Sequence, residues 1–503
     1  GADACGVAPL GSTGTVYYVC DCAASGDSYD PECVAGNDTN SGTDPSKPLK
    51  SFAKANERFR ALQPGQSVAF CRGGTITATS NPKWVNTACK KDNRCVVRDY
   101  DPPWASTTKP HPIINGVISF DDGSGAYDEG YVVMNLDMRG SGGATGQFGI
   151  FIYRNVHHVL LCNLSLTRFY IGVHVASGGN SNIVLKNSRM VRNASQGWLG
   201  GCTNCVIENN YFEDNGSLLE EGNKSRAILD HNLYISGSNG ATTGMRVSNN
   251  HLYRSNRMGA NLQCSSTSLV VHGYHTNMII ENNVVREDKG SPGQGCWGIG
   301  VDTGYTGSKE GFVNLIIRNN IVYNVGNLGI GVNACQNCEI SNNIVIQENA
   351  FGMTGIRAPN RARTVADGDL EMTTIKVKNN TVVYGPQSSG TGISVGTEGT
   401  QHQIVSNVVA HYGSGSSCFS HSLPSTSYTA IENNLCYYPG SNNNPLFISA
   451  QSNGTNYLLY NLRPSSSYSP LVDTGHPTLS TSHDRDGKVR DAMPDIGAYE
   501  FQK

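Results

Sequence analysis

The chain has 503 residues, with 37 Lys and Arg against 40 Asp and Glu and a formal net charge of −3. Charged residues make up only 15 % of it and no basic run forms a phosphate-binding stripe, which excludes nucleic acid as a partner. No apolar stretch approaches the length of a membrane span, and the absence of a signal peptide at Gly1 is what a mature or trimmed end would give.

Residues 1–75 are expected to form an N-terminal cap segment. "TVYYVC" reads as a strand, a Gly/Asp/Ser/Pro loop follows, and a short helix starts near Pro48 with Phe52, Ala55 and Phe59 on one face. A stacked repeat exposes unpaired backbone at its end, so such a helix has an end coil to cover. Residues 76–147 read as irregular early coils, with "PIINGVISF" and "YVVMNLDM" as strands.

A repeat then takes over. Asn163, Asn187, Asn209, Asn249, Asn282, Asn319, Asn342, Asn379, Asn407 and Asn433 each follow an apolar residue two places earlier. Six of these steps carry a second Asn, as in "IENNVV", "IRNNIVY" and "ISNNIVI". The shortest spacings, Asn163 to Asn187 to Asn209, suffice for three short strands and three turns, and longer steps are that unit plus an insertion. The units are rich in Val, Ile, Gly and Asn and lack helical periodicity. The expected fold is all-β, a parallel β-helix solenoid over 76–440. Stacked coils place equivalent residues about 4.8 Å apart, so the Asn column can hydrogen-bond along the stack while its members take the left-handed corner of each coil. Residues 441–503 are loop-rich and read as a C-terminal closing segment, giving one structural domain in all.

Sixteen cysteines indicate an oxidising compartment. Cys89 with Cys95, Cys202 with Cys205, Cys335 with Cys338 and Cys418 with Cys436 are close in sequence. Zinc is the rival reading of the two C-x-x-C pairs, but three coils separate them, too far to share an ion.

The opening "YYV…GNDTNSGTDPSKPLKSFAKA" and the ending "SPLVDTG…DRDGKVR…PDIGAYEF" resemble the terminal segments of secreted right-handed parallel β-helix proteins. That resemblance implies the polysaccharide lyase and glycoside hydrolase β-helix superfamily, which also holds uronate epimerases. It further implies an extracellular or periplasmic location and an acidic polysaccharide as partner.

One strand per coil can be written in register: "GVHVA" (172–176), "GWLGG" (197–201), "NLYIS" (232–236), "GANLQ" (259–263), "GIGVD" (298–302), "GIGVN" (329–333), "GIRAP" (355–359) and "GISVG" (392–396). Alternation turns Val173, Trp198, Leu233, Ala260, Ile299, Ile330, Ile356 and Ile393 inward. His174, Tyr234, Asn261 and Arg357 then face outward in one column, and Ser236, Gln263, Asp302 and Asn333 in the next. Gly300 and Gly331 leave room for a ligand. Long polar insertions flank these coils, among them "EEGNKSRAILDHNLYIS", "VHGYHTN", "VDTGYTGSKEG" and "RAPNRARTVADGD".

Cleaving a uronate chain by β-elimination requires a neutralised carboxylate, a base for the adjacent proton and an acid for the departing oxygen. His231 and Tyr234 are the candidates for proton transfer, with Lys224 as a substitute base. Nearby cations are expected to lower the pKa of Tyr234. Arg257, Arg357, Asn261 and Gln263 could hold the carboxylate, and His174, Asp302 and Asn333 line the groove. Hydrolysis instead needs two carboxylates roughly 5–9 Å apart. Asp302, Glu310 and Asp230 are available, but no paired-aspartate motif is similar to that of polygalacturonase-type hydrolases. Epimerisation shares the proton abstraction, and "LDHN" is faintly similar to the Asp/His motif of alginate epimerases. Glu220, Glu221, Asp230 and Asp302 offer oxygens for a calcium ion, with no further cofactor implied. A non-catalytic, adhesive β-helix would instead show a face without converging ionisable groups.

Overall fold

The computed structural model describes residues 3–176, 178–216, 229–237, 240–258, 263–290, 293, 295–451 and 456–503. They belong to two compact units, Gly1–Gly222 and Asn223–Lys503. In each unit short strands build three parallel sheets, A, B and C, and a typical coil contributes one strand to each.

In the first unit, sheet A stacks Val16–Val19, Ser67–Cys71, Cys95–Tyr100, Asp128–Met134, Val156–Cys162, Ser181–Lys186 and Val206–Glu208 in parallel. The segment read as a cap therefore already supplies rungs of the solenoid. Its covering element is the helix Phe52–Arg60. Ser51 caps that helix by accepting the Lys54 N–H at 3.0 Å, which satisfies one of the free donors of the first turn. Phe52, Ala55 and Phe59 are buried, as the periodicity predicts, and Trp84 packs on both phenylalanines with ring centroids 5.3 and 5.2 Å away. Sheet C of this unit comprises Ile118–Phe120, Phe148–Tyr153, Ile171–Ala176 and Gln196–Gly200.

In the second unit, sheet A runs from Arg246–Ser248 through Ile279–Glu281, Ile316–Arg318, Cys335–Ser341, Thr373–Lys378 and His402–Val405 to Tyr428–Glu432. Sheet C stacks His231–Ile235, Leu269–Val271, Trp297–Val301, Leu328–Val332, Thr354–Ala358, Ile393–Val395 and Phe419–Ser420. Leu233, Leu269, Ile299, Ile330, Ile356 and Ile393 pair in sequence and are fully buried, forming an apolar column inside the coils.

The asparagines divide two tasks that the sequence reading gave to one column. The first Asn of each step makes the corner: nine of the ten have φ between 53° and 59°, and at the remaining step Ser406 takes that place with φ 61°. The second Asn is buried and makes the ladder. Asn250, Asn283, Asn320, Asn343, Asn380 and Asn407 each donate both backbone N–H and side-chain amide to the Oδ1 of the next member, ending at Asn434. The amides also reach back: Asn320 Nδ2 donates to the Ile280 carbonyl and Asn343 Nδ2 to that of Ile317. Those carbonyls belong to the apolar residues two places before the corner Asn, which gives that pairing a physical purpose. A buried amide must find such partners or lose on the order of 1–3 kcal/mol per orphaned group.

The final segment folds back along the corners instead of only ending the stack. Asn342 Nδ2 donates to the His483 carbonyl and Asn379 Nδ2 to that of Asp495, while buried Arg490 donates to Asn342 Oδ1 and the Gly497 carbonyl. All sixteen cysteines pair: Cys5–Cys162, Cys20–Cys71, Cys22–Cys33, Cys89–Cys95, Cys202–Cys205, Cys264–Cys296, Cys335–Cys338 and Cys418–Cys436. Both C-x-x-C pairs are disulfides, not zinc ligands, and eight disulfides fit an extracellular location. Among the described residues no helix is long and apolar enough to cross a membrane.

Asn320→Ala should orphan the Asn283 donors and lower unfolding stability by roughly 2–4 kcal/mol, read as a drop in the denaturant midpoint. Asn282→Gly keeps a left-handed corner and should change it by less than about 1 kcal/mol. Equal losses in the two variants would refute the division of roles.

Candidate active site on sheet C

The columns of the second unit are set by its strand pairs. Tyr234 lies opposite Val270, then Gly300, Gly331, Arg357 and Ser394. The coil after Tyr234 is thus Leu269–Val271, not 259–263. Ala260 and Asn261 lie outside the described residues, as do Lys224, Glu220 and Glu221. Gln263 is not on the sheet face: it sits in a short antiparallel ribbon, Arg257–Met258 against Gln263–Cys264, pinned by the Cys264–Cys296 disulfide. Arg257 is buried in the same ribbon. His174 belongs to the first unit, where it packs against Phe148 and Phe151, and burial lowers its pKa to about 4.

The correction brings in a residue that the register had missed. His272 follows Val271, which pairs with Val301, and so it stands beside Asp302. Its Nδ1–H donates to the Asp302 carbonyl at 2.6 Å and lies 3.1 Å from Asp302 Oδ1. Burial alone would lower the His272 pKa, but the hydrogen bond and negative charge of Asp302 outweigh it and raise the pKa above the usual imidazole value. His275, stacked on Phe312, donates from Nε2 to the His272 carbonyl at 2.8 Å and fixes that corner. Gly304 is required here, because a Cβ on it would stand 2.5 Å from His272 Nε2.

His231 is shifted the other way. Its Nδ1–H donates to the Thr267 carbonyl at 2.6 Å, which leaves Nε2 with the lone pair. Burial pushes its pKa down to about 4, so it is neutral near pH 7. Its ring stacks on Tyr234 at 5.4 Å, and Tyr234 meets His272 edge-on at 5.5 Å. The Tyr234 hydroxyl lies 2.8 Å from that of Tyr305. Burial, then Tyr305 and the charges of Glu310 and Asp302, raise the Tyr234 pKa well above that of an ordinary phenol. The expectation of a lowered value fails because the hydroxyl is buried and the nearby charge that reaches it is negative. Tyr234 is suited to give a proton, not to take one.

The carboxylates are committed. Asp302 is 1 % exposed; its Oδ2 accepts from Asn360 Nδ2 at 2.8 Å and from Arg361 Nε at 3.2 Å, with His272 on its other oxygen. Glu310 is buried and accepts the backbone N–H groups of Gly273, Gly304 and Tyr305 at 2.9–3.1 Å, which holds the Tyr305 turn in place. Asn333 is also buried. It bonds Thr303 and the Arg361 carbonyl, so it positions the loops around the face instead of lining it. Arg357 is exposed on the glycine column, and Arg361 lies 5.6 Å above the Trp297 ring. Of the four residues named for calcium, Glu220 and Glu221 lie outside the described residues, and Asp302 already faces Asn360, Arg361 and His272. Among the described residues a second group with ligand-like spacing, Cys264, Glu287 and Cys296, contains a disulfide whose sulfurs cannot coordinate.

Tyr305, His272, Arg361 and Asn360 were absent from the sequence-derived site. Three segments noted for their polar density hold them, and "LVVHG" (269–273) carries the same alternation that selected "NLYIS".

No protein-family model matches the chain, and no curated protein sequence matches it. Solved structures do. A PL6 family alginate lyase, AlyGC, aligns over 89 % of this chain and 57 % of its own, with TM-score 0.54 and 14 % identity. The fold is the right-handed parallel β-helix. The pectate lyase Pel9A aligns over 98 % of both chains at TM-score 0.42 and 14 % identity, and the A-module of the Azotobacter vinelandii mannuronan C-5 epimerase AlgE4 over 73 % of this chain and 91 % of its own at 0.40 and 12 %. At such identities the β-helix likeness concerns fold, and the chemistry rests on the residues above.

Imidazole resonances followed by NMR should show His231 titrating near pH 4 and His272 above its ordinary value. Asp302→Asn should bring His272 down by removing the charge that raises it. A His272 titration unmoved by that substitution would contradict the assigned pair.

Proposed function

We propose that this protein is a secreted carbohydrate-active enzyme that cleaves an acidic polysaccharide by β-elimination at a uronate. The supporting observation is the division of charge in one cluster. His231, its pKa pushed down by burial, and His272, its pKa raised beside Asp302, flank a protonated Tyr234, while Asp302 and Glu310 are bound by Arg361, His272 or backbone N–H groups.

In this reading His272, Arg361 and Arg357 take the uronate carboxylate. Neutralising it makes the adjacent C5–H acidic enough to remove. His231 Nε2 accepts that proton, the C4–O bond breaks as the C4–C5 double bond forms, and the departing oxygen takes the Tyr234 proton. Tyr305, hydrogen-bonded to Tyr234, orients that hydroxyl. Hydrolysis lacks support in this cluster because it needs one carboxylic acid and one free carboxylate. Of the three candidate carboxylates, Asp302 and Glu310 are each spent on holding the site together, and Asp230 is fully buried.

Incubation with pectate, alginate and glycosaminoglycans should yield unsaturated uronates, seen as ultraviolet absorbance. Tyr234→Phe and His231→Ala should each lower kcat/KM by about 10²–10⁴-fold, the usual worth of a positioned acid or base. Reducing ends without absorbance, or variants as active as the parent, would overturn the assignment. The rate should also rise as pH passes about 4, when His231 loses its proton, and fall at higher pH when His272 loses its own. A profile without the acid limb in His231→Ala would support the base role.

A further inference from the structure

The second unit carries another polar cavity, of about 400 Å³, on the outer face of sheet A. Pockets for small ligands run from roughly 300 to 1,000 Å³. Its floor is a row set by register, Glu281 beside Arg318, Ser341 and Lys378, and its roof is the returning segment 480–484. One polar group on this floor lacks a hydrogen bond and another is weakly paired. Asn319 Oδ1 is buried with no hydrogen bond. Lys378 has a side chain only 14 % exposed, and its one ion pair among the described residues, to Glu339, spans 3.9 Å. Buried polar atoms in proteins are ordinarily paired, so an unpaired acceptor and a weakly paired ammonium lining one cavity offer a ligand two places to bond.

The charges indicate what kind. Glu281 binds both Arg246 and Arg318, Glu339 accepts from Ser341 and faces Lys378, and Asp484 accepts the N–H groups of Asp486, Lys488 and Glu500. No net charge is left to select an ion. A hydroxyl can do both tasks at once, accepting from Lys378 and donating to Asn319 Oδ1.

We infer that this cavity binds a neutral saccharide residue, at a site separate from the sheet C cluster and independent of its chemistry. The ligand's hydroxyls bridge Lys378 and Asn319, and the segment 480–484 closes over the ring. Such a site would hold the protein on a glycan whose uncharged residues it does not cleave.

The test is calorimetric titration of the full chain with neutral sugars: glucose, galactose, mannose, xylose and their disaccharides. Glucuronate and inorganic phosphate serve as charged comparisons. At least one neutral sugar should bind, and Lys378→Met should weaken it about tenfold, as expected for one charged hydrogen bond. Ser482→Trp, on the exposed roof, should block the mouth without disturbing the coils, which covers the case in which Lys378→Met unfolds. Tyr234→Phe should leave this binding intact while cleavage falls, so failure here and failure of the lyase reading are separable. Absence of binding by every neutral sugar, selective binding of glucuronate or phosphate, or native affinity in both variants would overturn the inference.

Discussion

Asn320 shows the constraint on which the second unit depends. Its amide is bonded forward to Asn343, backward to the Ile280 carbonyl, and receives both donors of Asn283. A shift of one residue between coils would leave all of these groups buried and unpaired, at a cost large against the marginal stability of a folded chain. Register is therefore fixed at one corner of every coil, and the strands that leave that corner inherit it. Because side chains alternate along a strand, a fixed register determines which residues share the outer face of sheet C. The candidate site is a consequence of that stacking.

Within the site, two histidines on adjacent coils have pKa values shifted in opposite directions for reasons of placement. Each gives Nδ1–H to a backbone carbonyl, so hydrogen bonding alone does not separate them. His272 has the Asp302 carboxylate at its ring, which raises its pKa; buried His231 has none so close, and its pKa falls to about 4. The same cluster spends Glu310 on three backbone donors to hold the Tyr305 turn, which brings the Tyr305 hydroxyl to Tyr234. Charge is used here to shape the loops first. That leaves neutral and cationic groups, and not carboxylates, to meet a substrate.

Much of this was legible in the chain. The inward positions Ile299, Ile330, Ile356 and Ile393 pair as their shared Gly-Ile pattern predicts, and the four short-range cysteine pairs form. The reading failed between Tyr234 and Gly300. Two segments there, 259–263 and 269–273, satisfy the same alternation, and an insertion of arbitrary length hides which one continues the sheet. Choosing the first placed Gln263 in the groove and left out His272. The direction of the Tyr234 shift was also out of reach, because basic residues near it in sequence say nothing about which charges stand near its hydroxyl in space.

The sequence by itself determined the repeat, the all-β solenoid, the disulfide-bonded character and the strand that carries Tyr234 and His231. These follow from local periodicity and composition, which a linear chain displays directly. Only the tertiary structure decided that His272, Asp302, Tyr305 and Arg361 gather around that strand, and in which direction each histidine's pKa is shifted. Proximity between coils and burial at a given atom are properties of the packed stack. They arise from residues that insertions separate in the chain and hydrogen-bonded register brings back together.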